Sequence, residues 1–437
     1  MSNIKDKFFS VVEKFHHVAL LANLLKWTIL ASIVGIIVGS LSALFLESLQ
    51  FVTDKRIEYP WLLYLLPLAG AFVSFLYSKY GKTSSQGNNL ILDQIHGEDN
   101  GIPLRMAPLV FIGTIITHLF GGSAGREGTA VQIGGSIAEY IGKIFKLDKT
   151  DRRIILMCGI SSGFGSVFGT PLAGTIFGME VIVLGTMEYT ALIPCFIASF
   201  VGNLVTTALG AKHSHYALSG VPELSTSVLF KVIIASLLFG LVSILFSEGI
   251  HVCKKQFSKL FKNPMIKSMV GGVIIILLTL LIGTRDYLGL GLPYISASFA
   301  EGVPPFAFLG KIVFTAITLG TGFQGGEVTP FFFVGSTFGN ALGGVLGLSP
   351  VFLAGLGLVA VFCGATNTPI ASFFLGLELF HGEAVIYLFI ACIISYLFSG
   401  YHGIYTSQKI GNAKSKILRI PEHTTIGSVK TLRKQKN

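Results

Sequence analysis

Long apolar segments separated by short polar ones extend through almost the whole chain. Two predicted spans, residues 27–52 and 61–77, open the first half, and shorter apolar segments follow near 154–168, 171–184 and 191–209. Several of these are below the ~20 residues that a perpendicular helix needs to cross a bilayer. Such pieces are tolerated at membrane depth only where protein or a wet cavity covers their ends. The pattern therefore predicts tilted and broken helices.

The second half repeats this pattern after a polar stretch at 211–226. It has predicted spans near 227–250 and 269–283, followed by shorter, glycine-interrupted segments between 304 and 400. We therefore divide the chain into an N-terminal segment (1–26), a first transmembrane repeat (27–210), a linker (211–226), a second repeat (227–413) and a basic tail (414–437).

Composition supports a polytopic membrane protein, since 51% of the residues are hydrophobic and only 12% are charged. The net charge of +10 is concentrated at the two ends, and the positive-inside rule places both termini in the cytoplasm. Basic residues that flank spans favour contact with anionic lipid in the bilayer over nucleic acid. The five cysteines lack metal-ligand spacing, so we expect no metal or other cofactor.

One short run carries charge between apolar sequences. Small residues in Gly121-Gly122-Ser123-Ala124-Gly125 lead to Arg126 and Glu127, and a helical stretch follows at once. Charges at membrane depth often mark ion or proton pathways, and a glycine-rich approach to a helix start forms an anion site. The alternative is a tight helix–helix turn with a solvated ion pair.

The same kind of run occurs again in the second half. GSAGREGTAVQIGGS aligns with GFQGGEVTPFFFVGS at an offset of 200 residues, and TPLAGTIFGME aligns with TPIASFFLGLE at an offset of 198. Duplicated halves with short, glycine-broken segments indicate a secondary-transporter fold, whose substrate site lies where the repeats meet. This alignment pairs Glu127 with Glu327, and two facing helix starts at these positions predict an anionic substrate.

At these residues the chain resembles the CLC superfamily of anion channels and proton-coupled anion antiporters. GREGT resembles the gating-glutamate motif GREGP, GGEVTP stands where chloride-type members have GxFxP, and segment 364–371 and HGIYTSQ also fit. The resemblance covers roughly residues 27–413. It implies an all-α polytopic membrane protein with two inverted-topology repeats of tilted and broken helices, which assembles as a homodimer with one pathway per subunit.

Four departures from the chloride pattern are informative within the superfamily. They are Thr129 in place of the proline after GREG, QGNNLIL in place of GSGIP, Glu327 and Thr329 in GGEVTP, and Val181 in place of an inner glutamate. All four match the bacterial clade that exports fluoride in exchange for protons. The resemblance thus implies a multi-pass fluoride/proton antiporter of a bacterial cell membrane.

The resemblance also implies roles for individual residues. Glu127 is the expected gate and proton carrier, because a carboxylate at an anion site competes with the anion and leaves when protonated. Asn88 stands where chloride relatives have a serine, and its amide can donate to fluoride; the alternative is a turn asparagine. Tyr405 matches the central tyrosine of the family, with an interfacial-belt tyrosine as the alternative.

The two helix starts supply the rest of the expected anion site. Gly128 and Val328 belong to the expected anion site because of their positions at these helix starts. Thr329 adds a hydroxyl that either receives the gate or caps its own helix. Glu327 is the candidate proton relay, because Val181 cannot carry a proton; the alternative is a carboxylate that offsets the helix dipole.

Three further predictions concern residues outside the anion site. Glu180 and Glu378 fall at matching places in the repeat, so we expect a structural interhelical role. We assign His118, His213 and His215 to packing and loops.

Two other function classes compete with fluoride export. A chloride/proton antiporter or chloride channel on the same fold is the first, and the four departures disfavour it. An intramembrane enzyme is the second; it needs a nucleophile–base or metal constellation, and neither HExxH nor GxSxG beside a suitable histidine occurs. We therefore expect a transporter and not an enzyme.

Overall fold

The computed structural model describes residues 16–98, 101–300, 302–417, 420–421 and 424–429, and these are almost entirely helical. The helices of the first half are α1 (His16–Glu58), α2 (Leu66–Leu76), α3 (Asn88–Ile95), α4 (Met106–Leu119), α5 (Glu127–Ile144), α6 (Lys149–Phe168), α7 (Pro171–Glu180) and α8 (Leu192–Ala208). Those of the second half are α9 (Thr226–Leu260), α10 (Pro264–Ile282), α11 (Leu292–Ala297), α12 (Ala307–Gly320), α13 (Val328–Leu346), α14 (Pro350–Thr366), α15 (Pro369–Leu379) and α16 (Val385–Phe398). A parallel pair of two-residue strands, β1 (Val183–Leu184) and β2 (Lys409–Ile410), ties the C-terminal segment to the first half.

The predicted division into long and broken helices is confirmed. Among the described residues, five segments are long and apolar enough to cross a membrane, including α1, α9 and α10. The helices between them are shorter, and residues 211–225 form no helix. The first span is longer than predicted, because α1 begins at His16 where apolarity alone indicated residue 27. The predicted segments 1–26 and 414–437 lie partly outside the described residues.

The helices repeat in the same order, and their bounds correct the alignment of the first motif. Helices α4 and α12 begin at Met106 and Ala307, and α5 and α13 at Glu127 and Val328, so the offset is 201 residues. The predicted offset of 200 is wrong by one residue because both loops are rich in glycine and match almost equally well in either register. Glu127 is therefore equivalent to Val328.

The second aligned motif is confirmed at its offset of 198 residues. Helices α7 and α15 begin at Pro171 and Pro369, and the preceding Thr170 and Thr368 have nearly the same backbone angles. The change of offset falls within α6 and α14, of which the second is three residues shorter. Between the two motifs the largest difference between the repeats is therefore the length of this helix, since α5 and α13 differ by one residue only.

The two repeats cap each other's helices through a reciprocal pair of glutamates. Glu180, at the end of α7, accepts hydrogen bonds from the N–H groups of Ile370 and Ala371 at 3.1 and 2.8 Å. Glu378, near the end of α15, accepts from Leu172 and Ala173 at 2.9 and 2.8 Å. An antiparallel arrangement of α7 and α15 follows from this exchange, and it is the arrangement that inverted repeats produce. The interhelical role predicted for both glutamates is thus observed as helix capping.

Glycine contacts fix how the core helices of each repeat cross. A Cβ atom on Gly134 of α5 would lie 2.1 Å from the carbonyl oxygen of Gly159 in α6. The equivalent Cβ on Gly335 of α13 would lie 2.2 Å from the carbonyl oxygen of Gly357 in α14. Both distances are shorter than any real contact, so only glycine permits these backbones to approach so closely.

We expect Gly335→Ala to destabilise the protein by about 1–3 kcal/mol, because the added methyl group forces α13 and α14 apart. Gly344→Ala on the same helix is the control, since no heavy atom lies within 4 Å of its Cβ position and alanine favours helix. Thermal unfolding of the detergent-solubilised protein measures both. Equal melting temperatures for the two variants would contradict this account of the helix crossing.

Candidate functional site

The site is built where the two glycine-rich loops meet at the centre of the chain's fold. The N–H of Gly125 donates to the carbonyl of Gly326 at 2.5 Å, and the N–H of Gly326 donates back to Gly125 at 2.8 Å. This antiparallel bridge holds the starts of α5 and α13 beside each other. The first four N–H groups of a helix have no acceptor within it, so the bridge gathers unpaired donors in one place.

Glu127 extends from the start of α5 to the start of α13. Its carboxylate accepts hydrogen bonds from the N–H of Thr329 at 3.0 Å and from the Thr329 hydroxyl at 2.6 and 2.7 Å. It also accepts from the N–H of Arg126 at 3.1 Å, and the Arg126 guanidinium lies 3.5 Å away. The side chain is only 1% exposed. A negative group therefore occupies the helix terminus where an external anion would bind.

The loop that carries Glu127 is held rigidly from α4. His118 contacts the carbonyl oxygens of Thr114 and Ala124 at 2.9 and 3.0 Å through its two ring nitrogens. Thr129, which replaces the motif proline, shares a 2.8 Å hydrogen bond with the hydroxyl of Thr114. The structure thus places His118 in the packing role that we predicted, and it gives Thr129 a local partner.

A cavity of about 730 Å³, here called the wide cavity, brings together three other predicted residues: Asn88, Glu327 and Tyr405. Asn88 is the first residue of α3. A Cβ atom on Gly128 would lie 3.1 Å from Asn88 Nδ2 and 3.3 Å from Glu327 Oε2, so both side chains flank the start of α5. The Oδ1 atom of Asn88 is buried without a hydrogen-bond partner, so this acceptor is unsatisfied.

Glu327 and Glu127 stand at the same junction but face different surroundings. Glu327 is the residue just before α13 and corresponds to Arg126 in the first repeat, which corrects its predicted pairing with Glu127. Its half-buried side chain lines the wide cavity, whereas the carboxylate of Glu127 is turned into the junction of the repeats.

Gln132 also lines the wide cavity, and sequence reasoning missed it. Its side chain is 6% exposed, its Oε1 atom is buried without a hydrogen-bond partner, and its amide nitrogen lies 3.5 Å from the Cβ position of Gly87. Its uncharged amide in a largely apolar helix is the sequence feature that could have identified it. The wall of the cavity therefore contains two amide groups, those of Gln132 and Asn88, whose oxygen atoms have no hydrogen-bond partner.

Val181 lies beside the site without contributing a polar group. With Asn88, Phe177 and Tyr405 it lines a void of about 10 Å³, which is at the lower limit for holding a water molecule. Phe177 packs edge-on against Tyr405 with ring centroids 6.4 Å apart. This side of Tyr405 is consequently dry.

A second cavity, of about 290 Å³, is here called the Arg56 cavity and is lined by Arg56, Arg126, Arg285 and several leucines. The wide cavity contains Pro264 and Lys267 from the start of α10, whereas the Arg56 cavity contains Arg285, just beyond the end of α10. The two cavities therefore open at opposite ends of a membrane-spanning helix.

The junction of the repeats separates the two cavities. A void of about 20 Å³ shares Arg126 and Leu292 with the Arg56 cavity and reaches Glu127 and Thr329. On the other side, Glu327 and Gly325 line the wide cavity. The buried carboxylate of Glu127 thus lies between the wide cavity and the small void that adjoins the Arg56 cavity.

These features define a duplicated helical membrane protein with facing helix starts at its centre. A family model described as "Voltage gated chloride channel" matches residues 69–400. The chain belongs to this family, the CLC proteins.

Individual relatives agree with this assignment. The chain is 45% identical over 422 residues to the "Chloride/fluoride channel protein" of Pseudomonas syringae pv. tomato, covering 95% of this chain and 93% of the relative. It is 26% identical over 397 residues to the "H(+)/Cl(-) exchange transporter ClcA" of Vibrio parahaemolyticus, covering 84% of each.

Two solved structures share the fold. A CLC-type fluoride/proton antiporter superposes with a TM-score of 0.86 at 36% identity, covering 89% of this chain and 98% of the other. A slow cyanobacterial Cl⁻/H⁺ antiporter superposes with a TM-score of 0.76 at 21% identity, covering 87% and 96%. Because the second structure is only 21% identical, its similarity is evidence for the fold alone.

The contact between Glu127 and Thr329 is testable by a double-mutant cycle. We expect Glu127→Gln and Thr329→Val to be non-additive in unfolding free energy by about 0.5–3 kcal/mol, because each removes a partner of the other. Thr337→Val on the same helix is the control, since its hydroxyl bonds only within α13. Thermal unfolding of the single and double variants measures the coupling, and additive effects would contradict the contact.

Proposed function

We propose that this protein is a secondary active antiporter that exports fluoride in exchange for protons. The observation that carries the proposal is the carboxylate of Glu127 on the start of α13, between cavities at opposite ends of α10. The 45%-identical relative is a chloride/fluoride channel protein, and the 36%-identical structure is that of a fluoride/proton antiporter. The four departures from the chloride motif support the same substrate.

Mutual exclusion at the start of α13 couples the two ions. The N–H of Thr329 and its hydroxyl serve either the carboxylate of Glu127 or an anion, but they cannot serve both. A protonated Glu127 no longer competes for these donors, so a fluoride ion that arrives from the wide cavity displaces it. When Glu127 returns as a carboxylate, the anion and the proton have moved in opposite directions.

The wide cavity suits an anion that must lose strongly bound water. Asn88 and Gln132 bring amide NH2 groups that can donate hydrogen bonds, and Tyr405 brings a hydroxyl at the same wall. Fluoride is small and strongly hydrated, so it requires good donors to replace its water. Glu327 lines the same cavity and is the proposed proton relay, since Val181 offers no titratable group. The proton route and the anion route then share the wide cavity.

We place the wide cavity on the cytoplasmic side and the Arg56 cavity on the outer side of a bacterial cell membrane. Lys26, near the start of α1, forms an ion pair with Asp151, and Lys409 and Lys149 line a common basic cavity. Lys26 on α1 and the segment around Lys409 therefore share one face, and the positive-inside rule makes that face cytoplasmic. Arg56 is at the opposite end of α1.

We further propose a homodimer with one pathway per subunit. Exposed apolar side chains on α8 and α16, such as Phe196, Phe200, Phe389 and Ile393, offer a membrane-embedded contact face. A particle of two chains in detergent would support this assembly, and a single chain would contradict it.

Fluoride-driven proton movement in proteoliposomes tests the central proposal. We expect the wild-type protein to pump protons when a fluoride gradient is imposed and a chloride gradient to drive little movement. Equal responses to the two halides would instead favour the chloride/proton antiporter of the same fold. Fluoride flux without proton movement would favour a channel.

We expect Glu127→Gln to abolish proton coupling, because the amide can neither carry a proton nor return to the start of α13 as a carboxylate. Fluoride-driven pH change in proteoliposomes is the measurement. Glu383→Gln, which alters an exposed carboxylate, is the control and should behave as wild type. Preserved proton movement in Glu127→Gln would refute the gate assignment.

We expect Asn88→Ser to lower the fluoride-to-chloride flux ratio by about three- to tenfold, the change that corresponds to losing up to one hydrogen bond to the ion. Asn89→Ser is the matched control, because Asn89 instead accepts a 3.0 Å hydrogen bond from the N–H of Ser407. Ion-selective electrodes measure both fluxes, and an unchanged ratio in Asn88→Ser would mean that selectivity lies elsewhere.

A further inference from the structure

Arg56 holds a buried positive charge whose hydrogen-bonding capacity is not fully used. It lies in the last turn of α1, and its Nη1 atom is buried without a hydrogen-bond partner. The guanidinium packs on Gly289, where a Cβ atom would lie 2.5 Å from Nη1. An arginine stays charged in proteins, and an unpaired buried donor on a charged group is costly. The arrangement therefore lacks a partner for Arg56.

Other cations surround the same turn. Lys311 is buried, and its ammonium donates to the carbonyls of Tyr287 at 3.2 Å and Gly289 at 2.6 Å. Arg285 donates to the carbonyl of Pro60 at 2.7 Å. Within the described ranges of the chain, none of Arg56, Arg285 and Lys311 has a carboxylate within 4.0 Å.

Carboxylates near this turn are too few to balance these cations. Asp286 lines the cavity, and its carboxylate accepts from the hydroxyl of Thr284. Glu127 lies 3.5 Å from the guanidinium of Arg126 and is held by Thr329. Asp54 and Glu58 in the last turn of α1 are engaged by Gln50 and Lys55, so Arg56, Arg126, Arg285 and Lys311 share two carboxylates, and an excess of positive charge remains around the cavity.

The Arg56 cavity has the size and walls to hold the missing negative charge. Its volume of about 290 Å³ exceeds the ~30 Å³ of a single water several times, so an anion can enter with part of its hydration. Leu46, Leu49 and Leu288 line it beside Arg56, and apolar walls strengthen the attraction between unlike charges. The cavity also adjoins the void beside Glu127, with Arg126 in the wall of both.

We infer that the Arg56 cavity contains a second anion-binding site, in which the guanidinium of Arg56, with that of Arg126, binds a halide ion on the far side of Glu127 from the wide cavity. The inference rests on the proposed anion transport but not on which halide is carried. An exported ion occupies this site after it passes Glu127 and before it reaches bulk water.

Oriented membrane vesicles test this inference with the full chain. Right-side-out vesicles present one cavity to the bath and inverted vesicles present the other, and a fluoride electrode measures initial uptake against bath fluoride. We expect Arg56→Gln to raise the half-saturating fluoride concentration about three- to tenfold in right-side-out vesicles and less than about twofold in inverted ones. High ionic strength should reduce the difference.

Lys55→Gln is the matched control. Lys55 precedes Arg56 on the same helix, but its side chain is 40% exposed and pairs with Glu58 at 2.7 Å. We expect it to stay within about twofold of wild type in both vesicle types, because an exposed pair contributes little. Arg285→Gln neutralises an exposed cation of the same cavity and keeps the test open if Arg56→Gln does not fold; its effect should be smaller and in the same direction.

The outcomes separate the site from the proposed function. A change in one vesicle type only, with Lys55→Gln unaffected, supports the site, and the type affected reports the orientation. Equal changes in both types, or none, would overturn it and leave Arg56 as a residue that stabilises the end of α1. If wild type carries chloride and no fluoride, the fluoride proposal fails, and the same measurement with a chloride electrode still decides on the site.

Discussion

The rest of the structure depends on one constraint: helices that begin at membrane depth must find acceptors for their unpaired N–H groups. In this chain each repeat supplies the other's acceptors. Gly125 and Gly326 bridge the two central loops, and Glu180 and Glu378 cap α15 and α7 reciprocally. Duplication and inversion thus satisfy the constraint without water, because each half provides what the other lacks.

Function arises where this reciprocity fails. At α7 and α15 both glutamates are present, so both helix starts are permanently occupied. At α5 and α13 the equivalent of Glu127 is Val328, which cannot return a carboxylate to the start of α5. Only the start of α13 therefore receives a side-chain carboxylate from the other repeat. The start of α5, beside Asn88 and the wide cavity, receives none from Val328. The glycine contacts between α5 and α6 and between α13 and α14 hold the helices close together, which is consistent with the proposal that the Glu127 side chain is the part that moves.

Much of this arrangement could be predicted from the sequence, and the limits have physical causes. Apolar segment lengths indicated a polytopic fold with broken helices, and the repeat located the central loops. The register of the first motif could not be read correctly, because Gly322, Gly325 and Gly326 offer nearly equal matches in two alignments. Only helix bounds distinguish Glu327, the equivalent of Arg126, from Val328, the equivalent of Glu127.

Other features depended on contacts between distant parts of the chain. Gln132 carries no charge and belongs to no motif, so its place in the cavity wall appears only when α3 packs against α5. In the sequence, Arg56 belongs to a short charged segment that ends a predicted membrane span. Its significance depends on the turn at Gly289, more than two hundred residues away, which no local pattern relates to it. The assigned roles of Glu127, Asn88 and Tyr405 remain predictions.

Charge is distributed so that anions are favoured along the whole proposed route. Lys82, Lys254 and Lys267 line the wide cavity, and Arg56, Arg126 and Arg285 line the opposite one. A route that attracts anions at both ends opposes the entry of free protons by the same electrostatic potential. In the proposed function protons therefore cross on carboxylates, for which Glu327, in the wall of the wide cavity, and Glu127, beside the void that adjoins the Arg56 cavity, are the proposed carriers. Coupling would follow from this arrangement, because the group proposed to carry the proton is also the group that the anion would have to displace.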